Sequence, residues 1–121
     1  MTKSQRSDVK NFIERFKTKL KIFDIIFLDK RQKNTQSLLD LEITPAQRRK
    51  IIEAIEMKDF VEGPFKEELY GIDDLWVFGK TIKNKDVYIK ISLGKPNQKV
   101  ICISFHIAEY PLHYPFKKEE K

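Results

Sequence analysis

Three closely spaced segments of alternating apolar character in the second half of the chain limit the fold more than any other feature. Leu75–Ile82, Asp86–Leu93 and Lys99–Phe105 are rich in β-branched and aromatic residues, separated only by Asn84-Lys85 and by Gly94-Lys95-Pro96-Asn97. Links this short cannot carry a parallel crossover, so the segments are expected to form antiparallel strands. A two-residue turn at Asn84-Lys85 pairs Ile82 with Val87, Lys80 with Ile89 and Phe78 with Ile91. The strand period of two then gathers Trp76, Phe78, Ile82, Val87, Ile89, Ile91 and Leu93 on one face. Ile101, Ile103 and Phe105 join them by alternation, and this face is the expected core.

The first half supplies helices to cover it. Ser7 and Asp8 are candidate caps for a helix whose apolar positions Val9, Phe12, Ile13, Phe16 and Leu20 fall on one side. Ile22–Asp29 reads as a short strand with Phe23, Ile25 and Phe27 on one face, followed by a polar, basic connection to Asn34. Thr35–Leu41 reads as a short helix carrying Leu38, Leu39 and Leu41. Thr44-Pro45 starts another helix, with Thr as N-cap and Pro at the first helical position, and Ile51, Ile52 and Ile55 form its apolar stripe. That helix should end near Lys58. Glu62-Gly63-Pro64 breaks the pattern, and the stretch to Asp74 reads as a loop. The expectation is a single α+β domain over 1–121, with a three-stranded or slightly larger antiparallel sheet against N-terminal helices. Its helical part spans about 1–60, its sheet about 75–106 and a C-terminal extension 107–121.

Composition removes several alternatives. Cys102 is the only cysteine, so no disulfide can form within the chain. The longest apolar run, Ile25-Ile26-Phe27-Leu28, is far short of the roughly 18 residues of a membrane span. The charged N-terminus offers no signal-peptide apolar region, and a cytoplasmic protein is expected. Residues 1–50 carry 13 basic and 6 acidic side chains, whereas 51–121 carry 11 and 12. Glu53–Asp74 holds eight acids against Lys58 and Lys66. A molecule divided in this way offers a basic face to a polyanion, although lysine-rich helices are commonly just solvated.

The face of the sheet turned away from the core is the informative one. Alternation assigns to it Val77, Gly79 and Thr81, then Tyr88, Lys90 and Ser92, then Val100, Cys102, Ser104 and His106. Antiparallel pairing brings Tyr88, Lys90, Ser104 and His106 within reach of one another. An aromatic ring, a cation, a hydroxyl and an imidazole are sufficient to hold RNA and cleave it without a metal. The lysine can stabilise phosphate charge, and histidine can exchange a proton with a 2′-hydroxyl or a leaving oxygen. Tyrosine can stack a base. A lysine or tyrosine on the wet side of a sheet is also routine, and Cys102 reads better as a packing residue than as a nucleophile.

The tail from His106 to Phe116 contains Pro111 and Pro115, which deny it a central strand, and Tyr110, Tyr114 and Phe116, which give it apolar surface. It either packs as an extension or wraps over the domain and returns Glu109 or His113 to the sheet face. No ligand set accompanies His106 and His113, so no metal site and no cofactor are expected. A P-loop, a Gly-rich dinucleotide turn, an HExxH pair and zinc-finger spacing are all missing from the sequence. Arg48, Arg49 and Lys50 on the Thr44–Ile55 segment suggest a basic recognition helix. A helix-turn-helix reading leaves the sheet unexplained.

Asp59-Phe60, Leu75-Trp76, the strand Asp86-Val87-Tyr88-Ile89-Lys90-Ile91 and the strand Val100-Ile101-Cys102-Ile103-Ser104-Phe105 together resemble the motility quorum-sensing regulator (MqsR) toxins. The likeness runs from about Asn34 to His106. It implies a RelE-like fold and an mRNA interferase: a type II toxin that cuts messenger RNA, arrests growth and is silenced by a cognate protein antitoxin. The family's functional tyrosine falls on Tyr88. Its lysine after Ser-Phe is His106 here, its glutamine after the Trp is Val77, and its lysine after Asp-Phe aligns near Glu62. These departures imply a rearranged site in which Lys90, His106 and the tail carry more of the work. On this reading His106 is acid or base, Lys90 steadies phosphate and Tyr88 positions the substrate. Ser104, Glu109 and His113 are supporting candidates. Lys30, Arg31, Lys33, Arg48 and Arg49 would grip the RNA backbone. The competing expectation is a non-catalytic module that binds RNA or protein through the same sheet face.

Overall fold

The computed structural model describes residues 3–28, 32–68 and 71–117. Val9, Phe12, Ile13, Phe16 and Leu20 lie at three- and four-residue steps along helix α1 (Lys3–Phe23), and every one of them is buried. The helix begins a turn before Ser7 and Asp8, which lie inside it instead of capping it. It stops at Asp24, whose φ is 70°. The Asp24 carboxylate there accepts from the Ile25 amide and from Arg49 Nε, both at 2.9 Å.

Strand β1 (Ile25–Phe27) follows, then α2 (Gln32–Leu41) and α3 (Pro45–Glu53). Thr44 caps α3 as its sequence predicts: Thr44 Oγ1 accepts from the Gln47 amide and Gln47 Oε1 accepts from the Thr44 amide. The helix ends at Glu53, earlier than expected, and a 3₁₀ turn at Met57–Asp59 leads into β2 (Phe60–Phe65). Strands β3 (Leu75–Ile82), β4 (Lys85–Ser92) and β5 (Val100–Ile107) complete one sheet in the order β1-β5-β4-β3-β2. The fold is α+β, as expected, but the sheet has five strands and is mixed, because β1 runs parallel to β5. The strand missed from sequence is β2. Gly63-Pro64 interrupts it, and a proline is tolerated there because β2 is an edge strand with an irregular register.

The turn between β3 and β4 is Lys83-Asn84, with φ of 50° and 68°, and not Asn84-Lys85. Pairing therefore runs Ile82 with Lys85, Lys80 with Val87, Phe78 with Ile89 and Trp76 with Ile91. The slip from the expected register is two residues, so the faces are unchanged. Phe12 stacks on Trp76 with centroids 4.7 Å apart, and Phe60 meets Phe78 edge-on at 6.0 Å. Burial of each such side chain contributes about 1.5–3 kcal/mol.

In β5 the expected alternation fails. Lys90 pairs with Ser104 but Ile91 pairs with Cys102, so Ile103 is an extra residue, a β-bulge. Val100 and Cys102 consequently belong to the core, from which they were expected to point away. Ile101 is only half-buried, and Ile103 is buried outside the core cluster. Past the bulge, Phe105 returns to the core face and Ser104 and His106 to the other. Helix α2 serves this irregular backbone. Asn34 Nδ2 donates to the Ile103 and Leu28 carbonyls at 3.1 Å, and Asn34 Oδ1 accepts from the Phe105 amide at 3.0 Å. Ser37 Oγ accepts from the Ile107 amide at 2.9 Å. These side chains take the place of a further strand along the outer edge of β5.

Candidate functional site

The second face of the sheet is ordered in rows. Gly79, Tyr88 and His106 stand opposite one another across β3, β4 and β5, and so do Val77, Lys90 and Ser104. The Tyr88 and His106 rings stack with centroids 5.2 Å apart and planes 16° from parallel. Lys90 Nζ lies 5.7 Å from the Tyr88 ring centroid. Ser104 and His106 are buried, while Tyr88 and Lys90 are half-buried.

His106 Nδ1 lies 3.0 Å from the Ile107 carbonyl oxygen. A carbonyl can only accept, so Nδ1 carries the proton and the neutral ring keeps its lone pair on Nε2. Nε2 is thus the ring nitrogen left available to exchange a proton.

The tail closes the site. The Ala108 amide donates to the Asp86 carbonyl at 2.8 Å, which starts the tail across the sheet from the end of β5. Glu109, Tyr110 and Leu112 then face Tyr88, Lys90, Ser104 and His106 around a cavity of about 160 Å³. Leu112 and Tyr114 continue over Gly79, and Phe116 turns into the core, where it stacks on Phe60 at 5.5 Å. Burial pushes the Tyr114 phenol up to about 12, and the carboxylates of Asp86 and Asp59 push in the same direction.

The four sheet residues expected to cluster are therefore brought together, and Glu109 joins them. His113 is exposed and does not line the cavity. Tyr110 and Leu112, which sequence reasoning did not place at the site, form its outer wall. The available signal was Gly79: a glycine inside a strand often marks the close approach of another segment.

The expected basic grip needs correction. Arg48 is only 4% exposed, with its guanidinium carbon 3.5 Å from the Phe27 ring centroid. It was expected to be exposed for RNA, but it packs against β1. Arg49 is paired with Asp24 and with Glu53 one turn along α3. Arg48 is therefore held inside the fold, while Arg49 ties α3 to Asp24 through partly exposed ion pairs. Lys30 and Arg31 lie outside the described residues, as does the side chain of Lys33.

Among the described residues, no group of three or more His, Cys, Asp or Glu side chains is arranged to hold a metal ion, and no helix is long and apolar enough to cross a membrane. No protein-family model, curated protein or solved structure matches the chain.

Proposed function

We propose that this chain is an endoribonuclease of the toxin type, cutting messenger RNA at the cavity between β4, β5 and the tail. The observation that carries this reading is the convergence of Tyr88, Lys90, Ser104 and His106 in one small polar cavity, with His106 Nδ1 engaged by the Ile107 carbonyl. The resemblance to MqsR toxins adds the RelE-like fold, growth arrest, a cognate antitoxin and a cytoplasmic setting to the same proposal. Two of the three positions at which the chain departs from that family, Glu62 and Val77, share a row with Lys90 and Ser104, and the third, His106, stands in the neighbouring row. A change at one member of a row is thereby free to be balanced at another.

In the proposed reaction His106 Nε2 takes the proton from a ribose 2′-hydroxyl as that oxygen attacks the adjacent phosphorus. The bond to the 5′-oxygen breaks, that oxygen leaves with a proton from solvent, and a 2′,3′-cyclic phosphate remains. Lys90 offsets charge on the phosphoryl oxygens, and Tyr88, steadied by its stack on His106, positions the nucleotide. Arg48 and Arg49 have no part in this scheme.

The test is cleavage of messenger RNA in EDTA by the wild type, His106→Ala and Tyr88→Phe. Loss of the base is expected to lower the rate about 10²–10⁴-fold. Undiminished cutting by His106→Ala would remove histidine from the mechanism. RNA binding without cleavage or growth arrest by the wild type would assign the face to a non-catalytic module.

A further inference from the structure

A larger cleft lies away from this cavity, at the other end of β4. Its volume is about 850 Å³, within the ordinary range for small-molecule sites. One wall is α1 itself. Arg15, Lys19 and Ile22 stand at helical spacing on a face distinct from the core stripe of Phe12, Phe16 and Leu20. The other wall is the turn from Gly94 to Asn97 together with Ile72 and Asp73.

The floor of the cleft is tied together by hydrogen bonds. Lys19 Nζ donates to the Leu93 carbonyl and, at 2.7 Å, to the Lys95 carbonyl. Ser92 Oγ donates to the Asp73 carbonyl at 2.8 Å and accepts from the Gly94 amide at 2.9 Å. An ammonium has three donors, and these two carbonyls fix Lys19 within the wall without neutralising it. Burial lowers its pKa; Asp73 opposes that shift and the neighbouring Arg15 adds to it. Two like charges one turn apart are relieved by an anion placed between them. Asp73 and Glu14 also line the cleft, against Arg15, Lys19 and Lys95, which leaves the cations in excess. Apolar surface accompanies the charge: Ile22 is 67% exposed at the rim, and Leu93 and Ile72 lie deeper.

We propose that this cleft binds a small amphipathic organic anion, with its charged head at Arg15 and Lys19 and its apolar body along Ile22, Ile72 and Leu93. The site is independent of the nuclease reading, since it shares no residue with the cavity at His106.

The experiment compares octanoate, octanol and octylammonium by titration of amide NMR spectra of the full chain. Saturable octanoate shifts are expected at Thr18, Ile72 and Gly94, with Tyr88 and His106 still, and with octanol about tenfold weaker. Arg15→Glu at the exposed rim is expected to weaken octanoate about tenfold at an unchanged melting temperature. Ile22→Glu provides a second variant with the same expectation. Octylammonium binding as tight as octanoate, shifts that fail to saturate or centre on Tyr88, or indifference to both substitutions would overturn the proposal.

Discussion

The hydroxyl of Tyr114 occupies the space in which a side chain at Gly79 would begin: a Cβ added there would lie 2.5 Å from the phenolic oxygen and 2.7 Å from Leu112 Cδ1. Gly79→Ala therefore forces the Tyr114 and Leu112 side chains to shift. The expected loss is about 1–3 kcal/mol in urea denaturation, as for other overpacked sites. Truncating the ring in a Tyr114→Ala background should make the same glycine substitution markedly less costly. Because the tail walls the cavity, the proposed RNA cleavage should fall with the glycine substitution alone.

The phenol of Tyr114 also sets an alkaline limit. Its pKa is raised from 10.0 to about 12 by burial, with help from Asp86 and Asp59. Between those values the unfolded chain releases a proton that the folded chain retains. Stability present below pH 10 is thus lost as pH rises through that window. Stability curves of Tyr114→Phe should be flatter there. Ultraviolet titration should show one of the four tyrosines ionising late, and this late component should vanish in the variant.

Asn34 is bonded to three main-chain groups, the carbonyls of Leu28 and Ile103 and the amide of Phe105. Asn34→Ala leaves buried polar groups at the bulge unpaired, with an expected cost of about 2–4 kcal/mol. Hydrogen exchange of the Phe105 amide should accelerate in the variant. Asn34→Asp keeps the acceptor but loses both donated bonds, and should be similarly destabilised.

The same bulge explains where sequence reasoning failed and where it did not. On β3 and β4 the turn was misplaced, yet a slip of two residues preserves every face, so Tyr88 and Lys90 were assigned correctly. On β5 alternation cannot survive an extra residue. Val100 and Cys102 were given to the wrong face, whereas Ser104 and His106, past the bulge, were not. Nothing in Ile101-Cys102-Ile103 announces a bulge, because all three residues suit a buried strand. Strand β2 was hidden by Gly63-Pro64, and the site's outer wall by prolines that allow the tail no regular element. Arg48 misled for a different reason: a long side chain can bury its stem and lay its charge on an aromatic ring.

The two adjacent arginines should therefore behave differently. Arg48→Ala removes a desolvated contact with Phe27 and is expected to cost about 2 kcal/mol or more, largely independent of salt. Arg49→Ala breaks more exposed pairs with Asp24 and Glu53 and should cost only about 0–1 kcal/mol, diminishing as salt is added. Thermal melts at low and high ionic strength separate the two cases.

The side chains that α2 lends to β5 have a mechanical consequence. Ser37 holds the amide of Ile107, next to His106, and Asn34 holds those main-chain groups around Ser104. The strand bearing the imidazole is gripped by β4 on one flank and by a helix of the basic half on the other. Another chain cannot add itself as a strand along that stretch. Helix α2 and β5 are thus tied together by the Asn34 and Ser37 side chains as well as by their packing, so a displacement of α2 would carry with it the main chain on either side of His106.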